Sequence, residues 1–175
     1  SFTGLRLDWH GKRDGTLTAF YVLPHTRLPS ARAEVIDNRV RWDRESFDLA
    51  FWGAHYTRPD LFDGITLQAN VFGLSERDGD NGPTRNRHLV TWGARLHRAP
   101  AAGQWDIDME GAVQTGTIRA SLAPGARRQD VRAFLAHAEL GYSPDLPGRP
   151  RLSLLLDIAS GDDPRSANFT RFDTL

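Results

Sequence analysis

The chain has 175 residues and sets 22 Lys and Arg against 22 Asp and Glu, so no global field draws it to nucleic acid or to an anionic membrane surface. It has no cysteine, which removes disulfides, zinc–thiolate sites and cysteine nucleophiles. No stretch approaches the ~18 consecutive apolar residues of a helical membrane span, but that limit does not touch a barrel, whose strands alternate apolar and polar.

The elements read as strands in chain order. Thr3, Leu5, Leu7 and Trp9 oppose Gly4, Arg6, Asp8 and His10. Thr16 to Leu23 is apolar on both faces, and Phe47, Leu49 and Phe51 oppose Asp48, Ala50 and Trp52. Ile65, Leu67, Ala69 and Val71 then alternate with Thr66, Gln68 and Asn70, as Val90, Trp92, Ala94 and Leu96 do with Thr91, Gly93, Arg95 and His97. Trp105, Ile107, Met109 and Val113 face away from Asp106, Asp108, Glu110 and Gln114. Phe134 to Tyr142 and Arg151 to Ile158 bring the candidate strands to eight, with the cleanest two-faced alternation in those from Ile65, His88, Trp105 and Arg151. A helix over Ala123 to Ala138 is the main competitor, with Pro124 and Gly125 against it.

The links alternate in length. Short turns fall at Gly11–Gly15, Arg58–Gly64, Pro100–Gly103 and Ser143–Arg149; longer polar links fall at Pro24–Ser46, Glu76–Arg87 and Ile118–Asp130. Ala33–Trp42 reads as a strand extension in the first of these. Short turns at one end and long loops at the other suit an outer-membrane barrel. Trp9, Trp105 and Tyr142, on apolar faces beside short turns, fit an interfacial girdle. Alternation alone does not say which face is wet, so a soluble β-barrel or β-sandwich that binds a saccharide remains the alternative.

Several stretches carry a family resemblance: Leu17–Pro24, Asp37-Asn38-Arg39, Phe51-Trp52-Gly53, Thr84–Leu89, Ala136–Tyr142, Pro150–Ser153 with Ala159–Asp162, and Arg171–Leu175. Together, in this order, they resemble the alginate-export family of Gram-negative outer-membrane barrels. The resemblance implies a monomeric up-and-down transmembrane barrel of about eighteen antiparallel strands. It also implies an arginine-rich constriction that passes an anionic uronate polysaccharide outward without chemistry or cofactor. Residues 1–175 then form a single β-barrel region, about eight strands of that larger barrel, located in the outer membrane and in contact with its lipid.

Of the 22 basic residues only Lys12 is a lysine. Arginine offers a planar fork that matches a carboxylate, whereas lysine is a point charge, and a GC-rich genome also raises arginine. Parity puts Arg6, Arg95 and Arg151 on polar faces with Asp108 and Glu139, all candidates for the pore wall. Arg39, Arg85 and Arg87 are candidates on long links. Their partners are expected to be an anionic polysaccharide or a small acidic solute. Mutual neutralisation by Asp8, Asp106, Asp108, Glu110, Glu139 and Asp157 is the plainer role for the strand arginines. Asp78-Gly79-Asp80-Asn81-Gly82 resembles the start of a calcium loop, with Gly82 at a ligand position. His137, Asp157 and Ser153 assemble a hydrolase triad on paper only, because no nucleophile elbow accompanies them.

Overall fold

The structure is a computed structural model that describes residues 1–25, 36–38, 40, 42, 45–79, 82–163 and 165–173, with Arg13 described by its backbone alone. Among the described residues eight strands run in chain order: β1 (Phe2–His10), β2 (Thr16–Pro24), β3 (Leu49–Phe62), β4 (Ile65–Glu76), β5 (His88–Arg98), β6 (Gln104–Arg119), β7 (Arg128–Ser143) and β8 (Leu152–Ala159). Sheet order equals chain order, and every neighbouring pair is antiparallel. The result is one open up-and-down sheet with β1 and β8 as edges. A 3-10 turn, Lys12–Asp14, joins β1 to β2.

The expected alternation of link lengths holds from β1 to β6 and fails after it: residues 120–127 and 144–151 form links of equal length, because β6 and β7 extend into the expected long link. The tightest turn, Asp63–Gly64 between β3 and β4, puts both residues at positive φ, 49° and 74°. That geometry matches the right-handed twist of the flanking strands. Just before it the register shifts between Arg58 and Phe62, and Asp60 Oδ1 accepts the Gly64 N–H at 3.0 Å.

Register ties the faces together, because directly paired residues share a face. Leu67 lies opposite Leu96, Leu96 opposite Met109, Met109 opposite Ala138, and Ala138 opposite Leu156. The same bookkeeping joins Leu7, Ala19, Ala54, Val71, Trp92, Val113 and Phe134 into this one apolar face. Its large side chains are open to the surroundings: Trp92 is 56 % exposed, Leu154 77 %. The opposite face carries Gln68, Asn70, Arg95, Asp108, Glu139 and Asp157, and its side chains on β6 are the more buried set. We call these the outer and inner faces. Trp9, Trp105 and Tyr142 all stand on the outer face at the short-turn end, with Trp105 and Tyr142 rings 5.0 Å apart.

The inner face differs by height. Toward the long links it is apolar: Phe20, Phe51 and Phe72 cluster with ring centroids 5.3–6.2 Å apart, and Leu74, Leu89, Ile118 and Val131 form the core with Leu49, Phe51 and Phe169 against it. This corrects the simple apolar-out, polar-in reading, and explains why Thr16 to Leu23 looked apolar on both sides. On β3 the outer face is Ala50, Trp52, Ala54 and Tyr56, while Leu49 and Phe51 point inward and Phe47 sits in a turn before the strand. Residues 128–138 are strand, because β7 pairs along its length with β6 and leaves no room for a helix. Residues 33–35, 39 and 41 of the expected strand extension lie outside the described residues; Val40 and Trp42 are exposed and in no strand.

Gly116 has φ +140°, and a Cβ there would lie 1.9 Å from the His88 carbonyl oxygen. Backbone cannot move aside as a side chain can, so Gly116→Ala should break the β5–β6 pairing at the long-link end, at a cost of about 1–3 kcal/mol or more. Urea titration of the folded protein should show the lowered midpoint, while Gly125→Ala, with open space around it, should match the parent.

Candidate functional site

The inner face below the aromatic cluster carries the charged residues that strand parity singles out. Arg95 lies mid-strand on β5 between Gln68 and Glu110. Its fork engages Asp108 of β6 through two parallel hydrogen bonds, Nε–H to Oδ1 at 2.7 Å and Nη2–H to Oδ2. Arg151, just before β8, donates to Glu139 at 2.8 Å and also to Asp106, which is 2 % exposed. Arg6 donates to Asp8 of its own strand at 2.9–3.0 Å, and Thr18 completes the Asp8 shell at 2.7 Å. Six carboxylates — Asp8, Asp106, Asp108, Glu110, Glu139 and Asp157 — therefore share this wall with three guanidiniums. Each arginine keeps N–H groups beyond those its carboxylate takes.

Arg85 and Arg87 lie on the link between β4 and β5, at the upper rim of the inner face. Arg87 forks onto Glu76 at 2.9 and 3.2 Å and reaches Asp173 at 3.1 Å. Arg85 donates to the Arg119 carbonyl at 2.9 Å and lies 5.2 Å over the Phe169 ring. Arg39 lies outside the described residues. The link itself is organised by Asp78, which accepts from the Thr84 N–H at 2.8 Å and from Arg119 at 2.6 Å. In the expected calcium loop Asp80 and Asn81 lie outside the described residues, and the Asp78 carboxylate is committed to Thr84 and Arg119. His137 and Asp157 meet at 2.6 Å, but Ser153 bonds Glu139 instead, so no triad is assembled.

Residues 160–173 were not anticipated from sequence. After β8 the chain leaves the sheet, and Phe169 returns to the edge of β7 above β8, pairing in parallel with Val131. Phe169 N–H donates to Asp130 O at 2.8 Å, and Arg132 N–H to Phe169 O at 3.0 Å. The segment then crosses inward to Asp173. There the fully buried Gln114 amide behaves like a neighbouring strand: Nε2–H donates to Asp173 O at 2.8 Å, and Oε1 accepts from Asp173 N–H at 3.0 Å. The same Nε2 donates to Thr91 at 2.9 Å. The one signal available in the sequence was a glutamine on the inner register of a strand whose next residues there, Ala112, Gly116 and Ile118, carry no polar side chain.

Gln114→Leu keeps the volume but strands both backbone groups of Asp173, a loss of about 1–3 kcal/mol. The strap should then detach, and trypsin should cut after Arg165 and Arg171 faster than in the parent while the sheet stays intact. Asp78 gives a pH test. The Thr84 N–H, and after it the Arg119 guanidinium, hold its carboxyl below the usual range, against opposing desolvation. A depressed value stabilises above the ordinary carboxylate pKa of about 3.9 and is lost as pH falls through the folded value. Exchange of the Thr84 amide should therefore stay slow at about pH 5 and accelerate only below the ordinary carboxylate range; Asp78→Asn should weaken that protection even at neutral pH.

Compared with curated proteins and with solved structures, the chain has no match. Against protein families the outcome differs: the alginate export family matches residues 1–175, the whole chain. With an antiparallel up-and-down sheet, an exposed apolar face and a charged inner face, this chain belongs to the alginate-export family.

Proposed function

We propose that this chain forms part of the wall of an outer-membrane channel that passes anionic saccharides, uronate polymers above all, or other acidic solutes. The observation that carries the proposal is the pairing of a continuous exposed apolar face with a charged inner face on a chain that matches the family throughout. Strands are the only backbone besides helices that can cross hydrocarbon with every polar group paired. The apolar face is the one such a sheet turns to lipid, and the exposed Trp and Leu side chains on it favour this reading over a soluble barrel packed around them.

Inside, Arg95, Arg151 and Arg6 are the guanidiniums that would meet a uronate carboxylate, with Arg85 and Arg87 above. Arg95, Arg151, Arg6 and Arg87 each already have a carboxylate neighbour, so at Arg95 or Arg151 a passing sugar acid competes with Asp108 or Glu139 for the fork and does not meet a bare charge. At an effective dielectric near 20, one contact at ~4 Å has about 4 kcal/mol of gross attraction. The resident carboxylates offset much of it, which suits a channel that must release what it attracts.

Arg95→Glu reverses one charge and leaves Asp108 and Glu110 without their cation. Anion-over-cation selectivity of the full-length protein in planar bilayers should fall, more at low salt than at high, because salt screens the field. Arg132→Glu, on the outer face, should leave selectivity near the parent value. Unchanged selectivity in the Arg95 variant, or an equal change from Arg132, would make Arg95 a structural ion pair.

A further inference from the structure

Outside the channel wall, the long-link end of the outer face carries a concentration of arginine that the transport reading does not use. Arg119 and Arg128 are paired across β6 and β7, His88 shares their face through Thr117, and Arg77 continues β4 alongside. Together with Asp78 they line a cleft of about 400 Å³. Arg132 follows on the same face of β7, two residues below Asp130. Among the described residues four guanidiniums thus stand beside three carboxylates, Asp48, Asp78 and Asp130, in a chain that is neutral as a whole.

These arginines are under-committed. Arg128 donates to the Thr117 hydroxyl at 2.6 Å and Arg77 to the Phe47 carbonyl at 3.3 Å; neither has a carboxylate partner among the described residues. Arg119 is 8 % exposed and holds Asp78, yet its Nε–H is buried with no partner among the described residues. Burying an arginine donor without an acceptor is costly, and an acceptor from outside the chain would satisfy it.

Height gives the class of ligand. On β6 and β7 the last apolar pair of the outer face is Val113 with Phe134, although Val90 continues the apolar series one row further on β5. At ~3.3 Å per residue and a strand tilt of ~40°, Arg132 lies about 5 Å and Arg119 about 15 Å beyond that row. On these two strands the patch therefore begins where the apolar residues end and rises toward the level of the headgroups. Guanidinium forks match phosphate bidentately. We propose that this cleft binds the phosphate groups of an anionic lipid headgroup in the outer leaflet, gripped by Arg77, Arg119 and Arg128 with Arg132 at the lower margin. This rests on the reading of the apolar face as lipid-facing.

The test uses the full-length protein in neutral detergent, with diphosphorylated lipid A as probe and native mass spectrometry as readout. The parent should retain the lipid, and its dephosphorylated form should bind at least tenfold more weakly. Arg77→Gln with Arg128→Gln removes two forks that hold no carboxylate, and should lower apparent affinity at least tenfold. Arg98→Gln, whose partner Asp63 is at the short-turn end, should not lower it. Equal binding of the dephosphorylated lipid, no loss in the double variant, or the same loss from Arg98→Gln overturns the proposal. Displacement by millimolar inorganic phosphate or by oligouronate also overturns it, since the cleft would then serve free anions or the transported polymer. Detergent dependence separates the two readings: a parent that stays dispersed without detergent overturns the lipid-facing assignment itself, whereas a detergent-dependent parent that ignores lipid phosphate overturns this proposal alone.

Discussion

Everything in this fold depends on backbone pairing between chain neighbours. In hydrocarbon no water is available to an unpaired N–H or C=O, and each orphan costs several kcal/mol. An antiparallel ladder satisfies both groups on every residue between two strands, and short turns let each strand pair with the one just made. The order β1 through β8 is the simplest solution to that constraint. It also fixes the faces: with direct partners sharing a side, one register error would carry a whole strand's leucines to the wrong face.

The face division was legible because it follows a period of two. The series through Trp92 and Leu96, through Ile107 and Met109, and through Leu154 and Leu156 each point one way, and the ladder joins them. Arg95 with Asp108, and Arg151 with Glu139, were legible as residents of one wall, though not as partners. Partner choice depends on diagonal neighbours across strands, which a linear sequence does not display. Phe51 was harder, because an aromatic residue suits lipid and core equally well. Its inward direction is set by the β2–β3–β4 register and the cluster with Phe20 and Phe72.

The strap was illegible for another reason. Residues 160–173 have no periodic pattern, and their position is written in other parts of the chain: the bare edge of β7 above the end of β8, the Gln114 amide, and the Arg87 fork. Without the segment the β7 edge groups and the Gln114 Oε1 would lose their partners, and Arg87 would keep only Glu76. Long-range polar complementarity of this kind leaves a trace only as isolated residues, such as a glutamine among apolar neighbours. Phe169 of the strap packs against the apolar core at the upper end of the inner face, and Arg6, Arg95 and Arg151 lie on the wall below it.

The height of the apolar belt has its own consequence. From Trp105 to Val113 on β6 there are eight steps, about 20 Å of vertical rise at a strand tilt of ~40°. That is short of the ~30 Å hydrocarbon core of an average bilayer. In a thick membrane Thr115 and Thr117 of β6 would be dragged into oil, or the bilayer would have to thin around this part of the sheet. Hydrophobic mismatch thus favours a thin membrane, which bacterial outer membranes are, and a thickness preference of this kind sorts a protein between membranes without any receptor.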